Sequence, residues 1–194
     1  MKKLLITGFE PFGGESINPS WEAVKKLPEV IGDKKLIKLQ IPTVFGKGFD
    51  ELTKKADEVK PDIILCIGQA GGRKAVTPEV IGINLREASI PDNEGNQPVN
   101  EPVVKGGREA YFATIPVRDI VKAVNEAGLP CSLSYSAGAF VCNDVLYSVL
   151  NRFDGIIPAG FIHVPFIKEQ VKNNEPYMEL DDIVRALSIA IEQL

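Results

Sequence analysis

The chain has 194 residues, of which 44% are hydrophobic and 25% charged, and its formal net charge is −4. This length and composition are typical of one compact α/β domain over residues 1–194. The small negative charge and the lack of a basic cluster argue against nucleic acid or an anionic membrane surface as a partner, and no apolar run is long enough to span a bilayer.

Apolar runs that are typical of strands recur along the chain. We predict six strands, at 3–8, 35–42, 62–68, 80–85, 131–136 and 159–166. Amphipathic patterns between many of them predict helices after the Asn18-Pro19 cap, at 49–60, at 117–128, from 141 onward and at 179–194. Alternating strands and helices predict a largely parallel sheet that is covered by helices on both faces.

The segment 88–110 interrupts this alternation. It is polar, rich in proline and glycine, and without sustained periodicity. Irregular stretches of this length within compact domains are often binding loops or interface arms, so we predict one of those roles here.

The cysteines indicate the compartment. Cys66, Cys131 and Cys142 are odd in number and form no CxxC pair, and the chain has a single histidine. The first apolar run is too short for a signal peptide. We therefore expect a reduced, cytoplasmic protein with no zinc or other metal and no cofactor.

Two reactive side chains are predicted at one edge of the sheet. Cys142 falls in the first turn of a helix that follows a predicted strand, where unpaired N–H groups favour a thiolate. His163 lies near the end of another strand, just before Val164-Pro165. The simpler interpretations are a buried cysteine that packs as a small hydrophobe and a structural histidine.

A nucleophile and a general base need a third group that orients the imidazole. The residues alone leave three carboxylates as candidates, Glu79, Asp92 and Glu94, because each lies in a loop next to a predicted strand.

Five segments in order along the chain resemble one known family. They are TGFEPFGGESINPSWEAV (7–24), IGQAGGRKAVTPEVIGIN (67–84), IPDNEGNQPVN (90–100), SAGAFVCNDVLYSVL (136–150) and GFIHVPF (160–166). Together they resemble the type I pyroglutamyl peptidases, which are cysteine peptidases, over nearly the whole chain. The resemblance implies a three-layer α/β/α sandwich around a mixed, mostly parallel sheet. It also implies a homo-oligomer, commonly a tetramer.

By this resemblance the catalytic triad consists of Cys142, His163 and Glu79. The implied reaction removes an N-terminal pyroglutamate (5-oxoproline) from a peptide through a thioester on the cysteine. Backbone N–H groups around Val141 and Cys142 would stabilise the oxyanion.

Pyroglutamate is a small, flat, neutral lactam, so its pocket should be apolar with a few fixed hydrogen bonds. The resemblance places the pocket in two sets of residues, the walls Phe9, Phe12, Phe140 and Val141, and the lactam contacts Asn18 and Gln69. From the residues alone, core packing explains the two N-terminal phenylalanines and helix capping explains Asn18.

Two departures from the family pattern leave alternatives open. Ser89 stands where relatives usually carry an arginine before IPDN, and PERV is replaced by PEVI. Arg86, three residues upstream, would face the opposite way if the strand continued. The alternatives are a catalytically weakened protein that binds pyroglutamyl peptides, and a thiol amidohydrolase of another small amide, such as glutamine, with Glu10 near its charged amino group.

Overall fold

The computed structural model describes all residues from 1 to 194. Its eight strands are β1 (Lys2–Phe9), β2 (Val30–Ile31), β3 (Lys34–Ile41), β4 (Ile63–Gln69), β5 (Thr77–Pro78), β6 (Ile81–Ile83), β7 (Ala110–Phe112) and β8 (Ala159–Val164). Its five α-helices are α1 (Pro19–Lys26), α2 (Lys47–Val59), α3 (Val117–Glu126), α4 (Val141–Phe153) and α5 (Leu180–Glu192).

Six strands form the central sheet in the order β2-β3-β1-β4-β8-β5. The four inner strands run parallel, and the short strands β2 and β5 pair antiparallel at the two edges. β6 and β7 form a separate antiparallel pair. The predicted mixed, mostly parallel sheet is confirmed.

Helices cover both faces of this sheet. On one face α1, α3 and α5 enclose a core of 25 buried residues, and on the other α2 and α4 enclose a core of 15. Because β1, β4 and β8 are buried on both faces, they are mostly continuous apolar runs rather than alternating ones. No helix of the structure has both the length and the apolar character needed to cross a membrane.

Two strand predictions differ from the structure. Residues 131–136 form no strand and make only isolated bridges, from Cys131 to Val76 and from Ser134 to Glu79. The Ser134 hydroxyl instead bonds the backbone of Ser136, and such local bonds compete with a sheet ladder. The prediction at 80–85 shrinks to β6, which lies outside the central sheet.

The carboxyl ends of β1, β4 and β8 meet at the same edge of the sheet, as parallel pairing requires. α4 begins near this edge and is buried almost all round, because the β6–β7 pair covers the side that the central sheet leaves free. This edge holds the predicted site.

Candidate active site

Cys142 lies in the first turn of α4, for which Phe140 is the N-cap. Its Sγ atom packs against Gly68 of β4, so closely that a Cβ added to Gly68 would lie 2.9 Å from the sulfur. The chain turns into the helix through Gly138, whose φ of +75° favours glycine. Gly138 therefore allows the chain to turn tightly into the helix just before the cysteine.

His163 brings its imidazole to the same place from β8. It is the register partner of Gly68 on the neighbouring strand, so Gly68 adjoins both the cysteine sulfur and the histidine. The ring is buried and packs on Phe161 with centroids 4.7 Å apart. Its Nδ1 bonds to Glu79 Oε1 at 2.7 Å, so its Nε2 takes no part in that contact.

Glu79 follows β5 and is fully buried. Its Oε1 also accepts a hydrogen bond from Arg73 Nη1 at 2.8 Å, while Oε2 has no hydrogen-bond partner. Burial alone would raise the pKa of Glu79, but the hydrogen bond and charge of His163, together with the side chains of Ser134 and Arg73, hold it below its usual value. Glu79 is therefore an ionised partner for the imidazole.

The pKa of Cys142 differs from the low value that the helix N-terminus predicts for a thiolate. Burial, together with the charge of the Glu79 carboxylate, raises the pKa of Cys142 to about 12. Burial also lowers the pKa of His163, although Glu79 opposes that shift. The raised pKa of Cys142 runs against the thiolate expected from the helix N-terminus, because burial disfavours the charged form. Burial favours the neutral form of both the thiol and the imidazole.

The other two carboxylate candidates lie elsewhere. Asp92 accepts hydrogen bonds from the backbone N–H groups of Phe45, Glu94 and Asn96 and so holds a loop together. Glu94 forms an exposed ion pair with Lys47. Of the three, Glu79 alone contacts the histidine.

Arg73 is a site residue that the sequence analysis missed. One guanidinium nitrogen contacts Glu79 and Thr77, and the other donates to the Ser136 carbonyl at 3.2 Å. Arg73 therefore connects the carboxylate to the loop that leads into Cys142. Only its position within the segment IGQAGGRKAVTPEVIGIN could have singled it out.

The predicted pocket walls divide into buried and accessible residues. Phe9 and Val141 are fully buried, and Phe9 packs on Phe161 at 6.2 Å, so Phe9 has the core position that the simpler interpretation gives it. Phe12 and Phe140 are half-buried, with ring centroids 5.9 Å apart.

Phe45, which the sequence analysis missed, packs edge-on against Phe140 at 5.3 Å. The largest surface cavity, of about 480 Å³, is lined by Phe45 but by none of the residues of the predicted triad or lactam pocket. Phe12, Phe45 and Phe140 pack on one another and are all half-buried. Because Phe140 is the N-cap of the helix that carries Cys142, this aromatic cluster provides accessible apolar surface near the cysteine.

Asn18 and Gln69 both have defined partners. Asn18 caps α1 as predicted, since its Oδ1 accepts from the Ser20 N–H at 3.1 Å and its Nδ2 donates to the Glu10 carbonyl. Gln69 ends β4, and its Oε1 accepts from Gln170 Nε2 at 3.0 Å.

Polar side chains also fix the start of α4. Asn143 is fully buried and exchanges hydrogen bonds with the backbone of Ile83 and Leu85. The first N–H groups of a helix have no acceptor within the helix and are available to an oxyanion. Rigid anchoring of this turn keeps those donors in place.

Arg86 behaves differently from the sequence expectation. Because β6 ends at Ile83, the strand does not continue, and Arg86 Nε pairs with the buried Asp144 Oδ1 at 2.6 Å. Its guanidinium lies 5.7 Å from the Phe45 ring centroid. Arg86 thus contacts both α4 and the aromatic cluster, whereas Ser89 is exposed.

No group of three or more His, Cys, Asp or Glu side chains lies close enough together to hold a metal ion. The reactive groups of the candidate site are the thiol of Cys142, the imidazole of His163 and the carboxylate of Glu79.

The chain matches the family model for pyroglutamyl peptidase over residues 2–194. It is 50% identical over 194 residues to a pyrrolidone-carboxylate peptidase of Streptococcus pyogenes, with 97% of this chain and 90% of the relative covered. The solved pyroglutamyl peptidase I of Bacillus amyloliquefaciens has a TM-score of 0.96 at 47% identity and covers 100% of this chain and 96% of its own.

A more distant solved structure gives the same result. The pyrrolidone carboxyl peptidase of Thermococcus litoralis has a TM-score of 0.94 at 38% identity, over 99% of this chain and 92% of its own. Fold and matches together define a peptidase of the cysteine class on an α/β scaffold. The chain belongs to the pyroglutamyl peptidase family.

Proposed function

We propose that this protein removes N-terminal pyroglutamate from peptides, with Cys142 as nucleophile, His163 as general base and acid, and Glu79 as the group that orients the imidazole. The contact between Glu79 Oε1 and His163 Nδ1, at 2.7 Å, carries this proposal. It fixes the tautomer with the proton on Nδ1, so that Nε2 is free to accept a proton.

The first half of the reaction starts from the neutral pair. His163 Nε2 takes the thiol proton as Cys142 Sγ attacks the carbonyl between pyroglutamate and the next residue. The tetrahedral oxyanion accepts hydrogen bonds from N–H groups at the start of α4. The imidazolium then protonates the departing amine, the C–N bond breaks, and a thioester remains on Cys142.

The second half regenerates the enzyme. His163, neutral again, takes a proton from water as the water oxygen attacks the thioester. The C–S bond breaks, the sulfur recovers the proton from the imidazolium, and free pyroglutamate leaves. Glu79 stays ionised throughout and stabilises each imidazolium, consistent with its lowered pKa.

The glutamine amidohydrolase alternative is not favoured. It needs a carboxylate that is free to bind a charged amino group. Glu10 Oε1 instead accepts from the Thr43 N–H at 3.1 Å and from Asn93 Nδ2 at 2.9 Å, so it holds two loops together.

The weakened binding protein remains the competitor from another functional class, because of Ser89. Turnover of a chromogenic pyroglutamyl amide decides between the two. Steady release of chromophore by the wild type, lost in Cys142→Ala, supports the peptidase. Saturable binding of the same amide without turnover overturns it.

We propose that the protein forms a homo-oligomer, which by the family resemblance is a tetramer. We also propose that it is cytoplasmic. The three free cysteines support a reducing compartment. The irregular segment 88–110 supports an interface role. Sedimentation velocity tests the stoichiometry, and a monomer at working concentration overturns it.

A further inference from the structure

Ser134 is a hydroxyl residue beside the triad that the reaction above does not use. It lies opposite Glu79 in an isolated parallel bridge. Its backbone makes both hydrogen bonds of that bridge, since its N–H donates to the Pro78 carbonyl at 3.0 Å and its carbonyl accepts from the Val80 N–H at 2.8 Å. The backbone of Ser134 is therefore fixed next to that of Glu79.

The bridge also sets the direction of the Ser134 side chain. Partners in a bridge point their side chains to the same face of the pairing, and the Glu79 side chain points to His163. The Ser134 hydroxyl therefore lies on the side that faces the triad. In agreement with this placement, burial raises the pKa of Glu79, and Ser134 joins His163 and Arg73 among the hydrogen-bonding side chains that lower it.

The second carboxylate oxygen of Glu79 needs a donor. Glu79 is fully buried, and its Oε1 contacts both Arg73 and His163, whereas its Oε2 has no hydrogen-bond partner. A buried carboxylate oxygen without a donor carries a desolvation cost that one hydroxyl proton would offset. The unpartnered oxygen therefore calls for a donor from a neighbouring side chain.

The Ser134 hydroxyl has a proton to give. Its Oγ accepts from the Ser136 N–H at 3.4 Å and lies 3.1 Å from the Ser136 carbonyl oxygen. A hydroxyl has one donor, whose proton rotates to suit its surroundings. The Ser136 carbonyl already accepts from Arg73 Nη2 at 3.2 Å, whereas Glu79 Oε2 accepts nothing. Because hydrogen bonds to ionised groups are the stronger ones, the proton is better placed on Glu79.

We propose that Ser134 is a positioning residue of the triad, whose hydroxyl donates to Glu79 Oε2 and so holds the carboxylate in the orientation that faces His163 Nδ1. This inference rests on the proposed function, in which Glu79 orients the imidazole. The Ser134 hydroxyl keeps its acceptor role toward the Ser136 N–H, so the loop that leads to Cys142 stays tied to the carboxylate.

Such a hydrogen bond lowers the pH at which the imidazole takes up a proton. Glu79 and His163 share that proton as a coupled pair, which is negative before uptake and neutral after it. A donor to Oε2 stabilises the negative form more strongly, so the pair is protonated at a lower pH with the donor than without it. Loss of the hydroxyl should therefore raise the apparent pKa of the pair.

The test follows His163 directly. The chain has a single histidine, so NMR of the untagged protein reports the titration of this imidazole without any need for turnover. Ser134→Ala should raise the apparent pKa by roughly one pH unit, the effect of one hydrogen bond. The acid limb of kcat/KM for a pyroglutamyl amide should move with it.

The other charged and titratable groups near the pair keep their state during this titration. The Arg73 guanidinium remains charged. The buried thiols of Cys142 and Cys66, both with a pKa that burial raises to about 12, remain neutral. A shift in the variant therefore belongs to the pair of Glu79 and His163.

Ser134→Thr and Ser134→Val are a matched pair, because the two side chains have nearly the same shape and only threonine keeps the hydroxyl. Threonine should retain the wild-type pKa, and valine should raise it as alanine does. Ser136→Ala controls for the loop, since it removes a hydroxyl that accepts from the Gly138 N–H at 3.2 Å. It should leave the pKa of the imidazole unchanged.

Thermal melts establish that each variant is folded. An unchanged pKa in folded Ser134→Ala or Ser134→Val overturns the proposal. An equal rise in Ser134→Thr and Ser134→Val, or in Ser136→Ala, overturns it as well. A wild type that shows the imidazole titration but no turnover of the pyroglutamyl amide would instead refute the proposed function.

Discussion

Glu79 and His163 are 84 positions apart in the chain, yet Glu79 Oε1 lies 2.7 Å from His163 Nδ1. The contact forms because β5 pairs antiparallel with β8, which places Thr77 opposite His163 and lets Glu79 follow directly. A two-residue strand at the edge of the sheet thus delivers the carboxylate to the imidazole.

The nucleophile is tested by substitution and labelling. Cys142→Ala should lose all measurable turnover of a pyroglutamyl amide and keep its fold, since the covalent step needs the sulfur. Iodoacetamide should modify Cys142 before Cys66 and Cys131, which are both buried, and faster as pH rises toward its high pKa. Cys131→Ala is the control and should retain turnover. Equal activity of the two variants would refute this role.

The role of Glu79 is tested with its amide. Glu79→Gln keeps the shape but removes the charge that stabilises the imidazolium, and it allows the wrong tautomer. Loss of the equivalent carboxylate in another triad costs about 10⁴ in kcat, and we expect a fall of at least ~10² here. The measurement is kcat with a thermal melt alongside. A loss of stability with unchanged kcat per folded molecule would show that Glu79 is only structural.

The pH profile follows from His163. Its lowered pKa keeps the imidazole neutral, and able to act as base, at pH values below its usual pKa of 6.5. As pH falls through the lowered pKa, kcat/KM should decline because the protonated ring cannot accept the thiol proton. An acid limb well above the ordinary histidine range would contradict this assignment.

Arg73 should affect both rate and pH profile. Its charge contributes to the lowered pKa of His163, so Arg73→Ala should move the acid limb to higher pH and reduce kcat. Added guanidinium ion should restore part of the rate, because the side chain is 26% exposed and its site can be reached. Lys74→Ala, at the exposed neighbouring position, is the control. If the acid limb of the pH profile does not move and guanidinium ion does not restore the rate, Arg73 is only a surface ion-pair residue.

The pair of Arg86 and Asp144 should stabilise the start of α4. Breaking a buried pair costs about 3–5 kcal/mol; since the Arg86 side chain is 23% exposed, we expect ~2–3 kcal/mol for Arg86→Ala. Arg108→Ala, which removes an exposed pair with Asp154, should cost under ~1 kcal/mol. Urea unfolding measures the free energy of unfolding of both variants. Equal losses in the two variants would contradict the stabilising role of the Arg86–Asp144 pair.

Ser89→Arg addresses the departure from the family pattern. Since Ser89 is exposed, a larger side chain meets no packed core, and the melting temperature should stay the same. If the missing arginine supports the oxyanion donors, kcat should rise by roughly ten-fold or less, about 1.4 kcal/mol. A lower melting temperature would show overpacking instead.

The sequence predicts the long elements well, because their signals are local. Mostly continuous apolar runs mark β1, β4 and β8, and Asn18 followed by proline marks the start of α1. Residues 131–136 mislead, since alternation alone cannot show that the Ser134 hydroxyl bonds its own backbone neighbour.

The missed site residues share a physical reason. Arg73 and Phe45 contact predicted site residues whose proximity only the completed fold creates. The raised pKa of the Cys142 thiol was missed for a related reason, because it follows from burial at the sheet edge, which no local pattern reveals. Cys142 and His163 were predicted at one edge of the sheet from the residues alone, whereas only the family resemblance singled out Glu79 from the three carboxylate candidates.

The most direct measurement of the covalent mechanism is mass spectrometry of the enzyme quenched in acid during turnover of a pyroglutamyl amide. A thioester intermediate predicts a fraction of the protein heavier by one pyroglutamyl group, located on the peptide that contains Cys142 and absent from Cys142→Ala. Turnover that persists in Cys142→Ala, or an adduct on another residue, would contradict the mechanism.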